Sequence, residues 1–336
     1  MSKLILLFCL LVVYSATLAQ TPTLQQKLFY TCKAWGFTKY YHSNVSTCNV
    51  NWDSVLLHVL PMVKAAPDYD AFNDALDTML TAAGPIEVST TYFPDTLAPE
   101  LKRNLNFGWI TDPILRADNQ AYLLTIKSNF RPHAGCWVSR ATTGGSGWLS
   151  FPNDDPMLNM NTYFSYPDEY QRLLLMFAHW NIINYFDPYT YVFDKPMDTI
   201  LFNNVMQIDT VSSAQALCLA IKKITSGFDD AHVQDLTLSD YYPFPGFYVP
   251  ELMLHYIQGK YVVVKSGVTA IPVGDAIISV NGLTASQWED SLGTYISAGN
   301  SAVFHRDMCR YLLAGDDGTN ENVVYADTAG VTGSIT

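Results

Sequence analysis

The sequence predicts an α+β fold with several domains, and three observations lead to that prediction. A helical pattern occurs twice, strand-like runs separate the two copies, and a β-rich module follows the second copy. A chain of 336 residues has room for two or three domains. Hydrophobic residues make up 49% of the chain and charged residues 15%, so it can bury a large core, which excludes global disorder.

The first residues, 1–19, have the three parts of a secretory signal peptide. Lys3 supplies the positive charge, Leu4–Tyr14 forms the apolar run, and Thr17–Ala19 provides small residues before a cleavage site. The apolar run is too short to span a bilayer comfortably, and the later sequence predicts no membrane span. We therefore expect cleavage near Ala19 and export to the periplasm or the extracellular space.

Charge and cysteine content limit the partners and the crosslinks. The net charge of −12 argues against nucleic acid or an anionic membrane as a partner. Cleavage of the signal peptide leaves Cys32, Cys48, Cys136, Cys218 and Cys309, an odd number that excludes complete pairing within one chain. Two interpretations stay open, a disulfide between Cys32 and Cys48 or five buried thiols.

The helical pattern repeats without a gap. The stretch KLFYTCKAWGFTKYYHSNVSTCNVNWDSVLLHVL returns as RLLLMFAHWNIINYFDPYTYVFDKPMDTILFNNV, and Trp35 then corresponds to Trp180. Both copies continue into a further helical pattern. Each copy is typical of a helix, an aromatic-rich turn and two more helices, which predicts helical units at residues 20–84 and 167–242. The tryptophan side chains are expected in the core.

The sequence also makes predictions about where the second helix of each copy begins and about the segment between the two copies. Asp53 and Asp198 precede the second helix of each copy, where an N-cap is expected. Between the copies, residues 85–166 change character, because AYLLTIKS and GCWVSR are typical of strands. We therefore expect a β-rich insert there.

Residues 243–318 predict a small β-rich module. Ala276–Val280 alternates as a strand does, Asn281-Gly282 is a tight-turn dipeptide, and Thr284 with Gln287 forms a capping box before the helix SQWEDSLGTY. This combination resembles a PDZ domain, and PDZ domains bind an extended peptide, often a chain end, as an added strand at a sheet edge. The alternative is an ordinary hairpin followed by a helix.

The stretch ITSGFDDAHVQD, at Ile224–Asp235, carries the candidate chemistry. It places the carboxylates of Asp229 and Asp230 beside His232, which suits a metal site, a catalytic base with its support, or a capped helix end. A typical catalytic zinc site has three protein ligands, and the other histidines show no HxxxH or HxxEH pairing. The sequence therefore predicts no metal and no cofactor.

In this order and spacing, WNIINYFDPY, DDAH and GDAIISVNG resemble the C-terminal processing, or tail-specific, serine peptidases, in their tricorn-core-like branch. In that family the peptidase core is split around the PDZ-like domain, with a histidine before it and the serine nucleophile after it. The resemblance implies that His232 is the general base, with Asp230 as a candidate support, and that peptide or protein C-terminal tails are the partners. In the tricorn branch a serine often precedes the histidine, where this sequence has Ala231.

The resemblance also assigns residues 319–336 to the start of the serine-bearing αβ half. No serine of the mature chain stands in a recognisable nucleophile motif. We therefore expect an exported serine-type peptidase whose chain, as printed, is truncated and inactive. The alternatives are a non-catalytic PDZ-like peptide-binding protein of the cell envelope and a purely structural exported repeat protein.

Overall fold

A computed structural model shows the fold of this chain. It describes residues 21–88, 98, 105–130, 135–140, 149–154, 166–230, 245–246 and 248–336. These residues form a mixture of helices and antiparallel sheet, as expected for an α+β fold. The predicted signal peptide, 1–19, lies outside them. No helix in the described part of the chain is long and apolar enough to cross a membrane.

The described residues fall into two compact units, and the first, 21–88 with 106–130, is helical. Its helices are α1 (Leu24–Tyr41), α2 (Ser43–Ser46), α3 (Trp52–Ala65), α4 (Tyr69–Ala82) and α5 (Ala117–Asn129). A capping box between Thr23 and Gln26 begins α1. Large side chains such as Trp35 are fully buried, so the first unit has its own apolar core.

Helix α5 shows that the strand predicted at AYLLTIKS is wrong. The stretch AYLLTIKS lies within α5, which buries Leu123 and Ile126 and packs against α1 and α4. In the described part of 85–166, the strands are the two-residue pair β1 (Ser139–Arg140) and β2 (Leu149–Ser150). A short apolar run does not distinguish strand from helix by periodicity alone, and here packing on neighbouring helices favours the helix.

The second unit contains three helices that match α1, α3 and α4 in order. They are α6 (Glu169–Phe186), α7 (Met197–Thr210) and α8 (Ala214–Ser226). Their first residues are 169, 197 and 214, against 24, 52 and 69, which is a constant offset of 145 residues. A capping box also begins α6, between Asp168 and Gln171. The helices thus recur at the spacing at which the sequence repeats.

One buried hydrogen bond recurs at the same spacing. The indole nitrogen of Trp35 donates to the carbonyl oxygen of Trp52 at 3.3 Å, and that of Trp180 donates to the carbonyl oxygen of Met197 at 2.8 Å. Both donor side chains are almost wholly buried. Each tryptophan therefore ties the first long helix of its unit to the start of the next long helix and satisfies its own polar atom.

The predicted N-caps Asp53 and Asp198 are wrong. Asn51 caps α3 by accepting a hydrogen bond from the Ser54 N–H, and α7 follows Pro196 with no side-chain cap. Both aspartates lie two positions after the N-cap residue, inside the first helical turn. A carboxylate there interacts favourably with the helix dipole, which explains the resemblance to a cap in the sequence.

A six-stranded antiparallel sheet follows the helices of the second unit. Its strands are β3 (Leu252–Ile257), β4 (Lys260–Ser266), β5 (Ala276–Val280), β6 (Leu283–Thr284), β7 (Val323–Ala326) and β8 (Thr332–Ile335). The order is β3-β4-β5-β7-β8, and β6 pairs with β5. Two helices accompany it, α9 (Ala285–Leu292) and α10 (Ser301–Tyr311).

The strand, the tight turn and the capping box predicted for this module are confirmed. Strand β5 has the predicted bounds, and Asn281 and Gly282 connect it to β6 with φ values of 50° and 80°. Both central residues of a type I′ hairpin turn need positive φ, which the Asn-Gly dipeptide adopts at low cost. The capping box of Thr284 and Gln287 begins α9.

The predicted boundary at residue 318 is wrong. Strand β7 pairs with β5 and β8 pairs with β7, so residues 323–335 extend the sheet of the module. Val323 is buried in the same core as Val280 and Met308. Residues 323–335 therefore belong to this sheet, because burial of their apolar face depends on the neighbouring strand β5.

Both interpretations of the cysteines are wrong. Cys32 is a reduced and fully buried thiol in α1, and Cys218 is also reduced and buried. Cys48 and Cys136 are each disulfide-bonded. Because Cys32 points into the helical core of the first unit, it is not the partner of Cys48.

The indole hydrogen bond of Trp180 gives a stability test. Trp180→Phe removes the donor to the Met197 carbonyl and opens a void, so we expect the free energy of unfolding to fall by about 2–4 kcal/mol. Trp35→Phe is expected to cause a similar loss. Tyr189→Phe is the control at a residue that is 62% exposed. Urea titrations check this, and a Trp180→Phe loss no larger than the control would contradict the proposed role of the hydrogen bond.

Candidate functional site

His232, the predicted general base, lies outside the described residues, and so does Ala231. Asp230, the candidate support, is described and lies just after the end of α8. The pairing of Asp230 with His232 stays a prediction. The structure shows what surrounds the start of the DDAH stretch.

The backbone at Asp230 is held by the segment that joins α9 to α10. The Asp230 N–H donates to the Ser297 hydroxyl oxygen at 3.2 Å, and that hydroxyl donates to the Asp230 carbonyl oxygen at 2.8 Å. One turn earlier, the Ser226 hydroxyl donates to the Thr294 carbonyl oxygen at 2.7 Å. These contacts fix the end of α8 against the β-rich module within the second unit.

The neighbouring Asp229 occupies an unusual backbone conformation. Its φ is +50°, in the left-handed region that aspartate tolerates better than most residues. Its carboxylate accepts a hydrogen bond from the Asp194 N–H at 2.7 Å. This side-chain contact holds the loop before α7 against the end of α8.

Like charges accumulate around these two residues. Burial raises the pKa of Asp229 and the Asp194 carboxylate adds to the effect, although the hydrogen bond from the Asp194 N–H lowers that pKa. Burial also raises the pKa of Asp187, and the Asp230 carboxylate adds to it. Carboxylates with raised pKa values in a cleft are candidates for a functional site. Among the described residues, no group of three or more His, Cys, Asp or Glu side chains could hold a metal ion.

A cleft of about 1190 Å³ opens beside Asp230. Residues of α7, α8, α9 and α10 line it, together with the loops between them. Its charged lining residues are Asp194, Lys195, Lys223, Asp229, Asp230, Glu289 and Asp290. Tyr189 and Val192 stand at this cleft and are each more than half exposed. The stretch that carries His232 thus begins at the wall of a large, mainly acidic cleft.

A second concave site lies at one edge of the sheet. Strand β3 stands at the end of the strand order, so one edge pairs with β4 while the other faces α10. Between β3 and α10 runs a groove of about 500 Å³. It is lined by Val249, Leu252, Met253, Leu254, His255, Tyr256, Ala302, Arg306, Cys309, Arg310 and Leu313. The groove is mainly apolar and follows the outer edge of β3.

Both ends of this groove are closed by specific contacts. At one end Tyr248 and Gly315 exchange backbone hydrogen bonds of 3.0 and 2.9 Å. At the other end the ring of Tyr256 stacks on the ring of His305, with centroids 3.6 Å apart. The groove is therefore a bounded trough rather than an open channel.

The closed end at Tyr256 also shows which way the β3 backbone points. Burial raises the pKa of the Cys309 thiol to about 11, although a hydrogen bond from the backbone N–H of Tyr256 lowers it. That N–H therefore points to α10, away from β4. In an antiparallel pair, every second residue directs its N–H and C=O away from the partner strand. Tyr256, and Leu254 two residues earlier, thus direct their backbone groups toward α10 and the groove.

His305 belongs to a wider polar cluster behind the closed end. Its Nε2 atom lies 3.5 Å from the Glu289 carboxylate, which accepts a hydrogen bond of 2.7 Å from the Tyr261 hydroxyl. Burial raises the pKa of Tyr261, and its hydrogen bond to Glu289 raises it further. The cluster therefore holds α9, α10 and the hairpin of β3 and β4 together.

Sequence reasoning missed this groove because it made no prediction for α10. The signal was present, since Asn300 is an N-cap that accepts a hydrogen bond from the Val303 N–H at 3.0 Å. Phe304, Met308 and Leu312 follow at helical spacing. The pairing of this helix with the edge of β3 could not be read from either segment alone.

Comparison with known proteins finds only distant structural similarity. No protein-family model matches the chain. No curated protein matches it either. Two solved structures, of mature CPAF and of mature CPAF complexed with lactacystin, match with 14% sequence identity and a TM-score of 0.31. The match covers 42% of this chain and 28% of those chains. Similarity at this level carries neither a fold nor an activity to this chain.

Substitutions at Asp229 test the described wall of the cleft. Asp229→Asn keeps the hydrogen-bond acceptor, tolerates positive φ and removes a charge whose pKa is raised in the folded protein. We expect Asp229→Asn to be at least as stable as the parent at pH 7. The advantage should shrink as the pH falls, because protonation then neutralises the parent carboxyl in the folded state first.

The matched variant is Asp229→Ala, which loses the acceptor for the Asp194 N–H and strains the backbone. We expect it to lower the free energy of unfolding by about 1–2 kcal/mol. Thermal melts of both variants at pH 7 and pH 4.5 make the comparison. Equal stability of the alanine and asparagine variants would show that the contact contributes nothing.

Proposed function

We propose that this chain is part of an exported serine-type peptidase of the C-terminal processing, tail-specific family. In this proposal the β-rich module is PDZ-like and binds peptide or protein tails, and residues 167–242 are the first half of the peptidase core. The two helical units are proposed to be copies of one ancestral unit.

The observation that carries the proposal is the groove along the outer edge of β3. An extended peptide can pair with a strand edge, because main-chain hydrogen bonds supply affinity and pockets for alternate side chains supply selectivity. Strand β3 is an edge strand in which Leu254 directs its backbone groups outward, whereas the outward N–H of Tyr256 is taken by Cys309, and α10 supplies a mainly apolar wall opposite. The trough is therefore suited to a short extended segment.

In this proposal the catalytic chemistry belongs to the cleft beside Asp230. The resemblance makes His232 the general base and Asp230 its candidate support, with the serine supplied by an αβ half of the family. Asp230 lines the cleft of about 1190 Å³, so a substrate held there would lie beside the stretch that carries His232. Its anchorage to Ser297 would keep the start of that stretch in place.

A second candidate function is peptide binding without hydrolysis, by a PDZ-like protein of the cell envelope. The observation in its favour is that the described binding groove is separate from the carboxylates of the cleft. Both candidates share the groove and differ in whether a serine nucleophile acts with His232.

Peptide binding is tested by filling the groove. Ala302 is exposed and lines it, so Ala302→Trp places a bulky ring in the trough without disturbing the core. We expect the parent chain to bind extended peptides from a random library and Ala302→Trp to lose at least about tenfold in affinity. Fluorescence anisotropy measures both. Circular dichroism melts establish that the variant is folded.

Ser301→Trp is the matched control, because Ser301 lies one position earlier on α10 and lines the larger cleft. It should leave peptide affinity unchanged. If no peptide binds the parent, peptide binding fails as a function. Equal weakening by both tryptophan variants would place the bound peptide outside the groove.

Hydrolysis distinguishes the two candidates. If the peptidase proposal holds, the reading frame of the gene continues past codon 336 into an αβ half with a serine nucleophile. In the protein that contains that half, His232→Ala should abolish cleavage of a fluorogenic peptide while peptide affinity stays the same. A stop codon after residue 336 with no such half nearby would leave only the binding function.

A further inference from the structure

Two arginines stand on one wall of the groove. Arg306 and Arg310 lie one helical turn apart on α10, and both line the trough beside β3. The exposed fractions of their side chains are 54% and 71%, so both guanidinium groups reach solvent and an incoming ligand. None of the described residues that line the groove carries a carboxylate. The groove is therefore locally cationic.

Their intramolecular partner does not cancel this charge. Asp307 accepts hydrogen bonds from Arg306 at 2.8 and 3.1 Å, and the same carboxylate lies 3.9 Å from the Nη1 atom of Arg310. One carboxylate thus faces two guanidinium groups, and the distance between Asp307 and Arg310 is at the upper limit for an ion pair. An excess positive charge remains at the groove wall.

The spacing of the two arginines fits an extended ligand. Residues four apart on a helix are separated by about 6 Å along its axis. Side chains two apart on a strand point to the same side and are separated by about 6.6 Å. A peptide added to the edge of β3 would therefore present alternate side chains at the spacing of Arg306 and Arg310.

We propose that the groove selects extended peptides that carry two carboxylate side chains two residues apart, in an acidic-x-acidic pattern. This inference rests on the proposed peptide-binding function and names the ligand class of that groove. The net charge of the whole chain is −12, so long-range repulsion disfavours an acidic peptide. A preference for acidic peptides must then come from the local arginine pair.

The test uses octapeptides of the pattern Ala-Val-Glu-Val-Glu-Val-Ala-Val and the same peptide with both Glu residues replaced by Gln. Each is made with a free and with an amidated C-terminus. Fluorescence anisotropy at one salt concentration gives the four affinities. We expect the Glu peptides to bind about tenfold more tightly than the Gln peptides at either C-terminus, because two exposed ion pairs together contribute about that factor.

Variants assign the preference to the two arginines. Arg306→Gln with Arg310→Gln should remove the difference between Glu and Gln peptides and leave the affinity for the Gln peptide unchanged. Replacement of both arginines by Glu should reverse the preference toward the same peptide with Lys in place of Glu. Lys260→Gln removes an exposed charge of the same sheet outside the groove lining and should change nothing.

The outcomes separate this inference from the proposed function. Failure of all four peptides to bind overturns peptide binding by the groove and this inference with it. Equal binding of Glu and Gln peptides overturns the selection and keeps peptide binding. An affinity that depends on the free C-terminus and not on Glu overturns the selection as well, because the chain-end carboxylate would then be the recognised group.

Discussion

A strand at the edge of a sheet leaves half of its backbone hydrogen-bonding groups without a strand partner, and β3 is such a strand. Proteins usually cover or blunt such edges, because open edges pair with other chains. Here the cover is partial. The Tyr248–Gly315 bridge closes one end, and Tyr256 with His305 and Cys309 closes the other. The middle of the groove remains uncovered, and there the backbone of β3 at Leu254 faces the groove.

The second unit contains two separate concave sites. The groove is apolar with two arginines, whereas the cleft beside Asp230 is mainly acidic and lies at the start of the DDAH stretch. Helix α10 contributes to both, since Ser301 lines the cleft and Ala302 lines the groove. Helix α10 therefore forms part of the wall of both sites.

The sequence predicted those features that depend on neighbouring residues. The turn at Asn281-Gly282, the capping box at Thr284 and the bounds of β5 follow from local backbone preferences, and the structure has each of them. The sequence-based prediction failed where packing between residues far apart in the chain determines the structure. The stretch AYLLTIKS is typical of a strand, but it lies in helix α5, whose apolar face packs against α1 and α4. The sequence assigns residues 319–336 to the start of the serine-bearing half, whereas β7 pairs with β5 in the sheet of the module. The groove needs the pairing of α10 with β3, which no local pattern reveals.

Amide hydrogen exchange with and without a bound peptide tests the central claim most directly. If a peptide adds to the edge of β3, its main chain takes up the outward-facing groups of that strand. Exchange at residues 252–256 should then slow, while the residues around Asp229 and Asp194 keep their rates. Protection confined to the cleft, or peptide binding without any protection of β3, would contradict the claim that this edge is the binding surface.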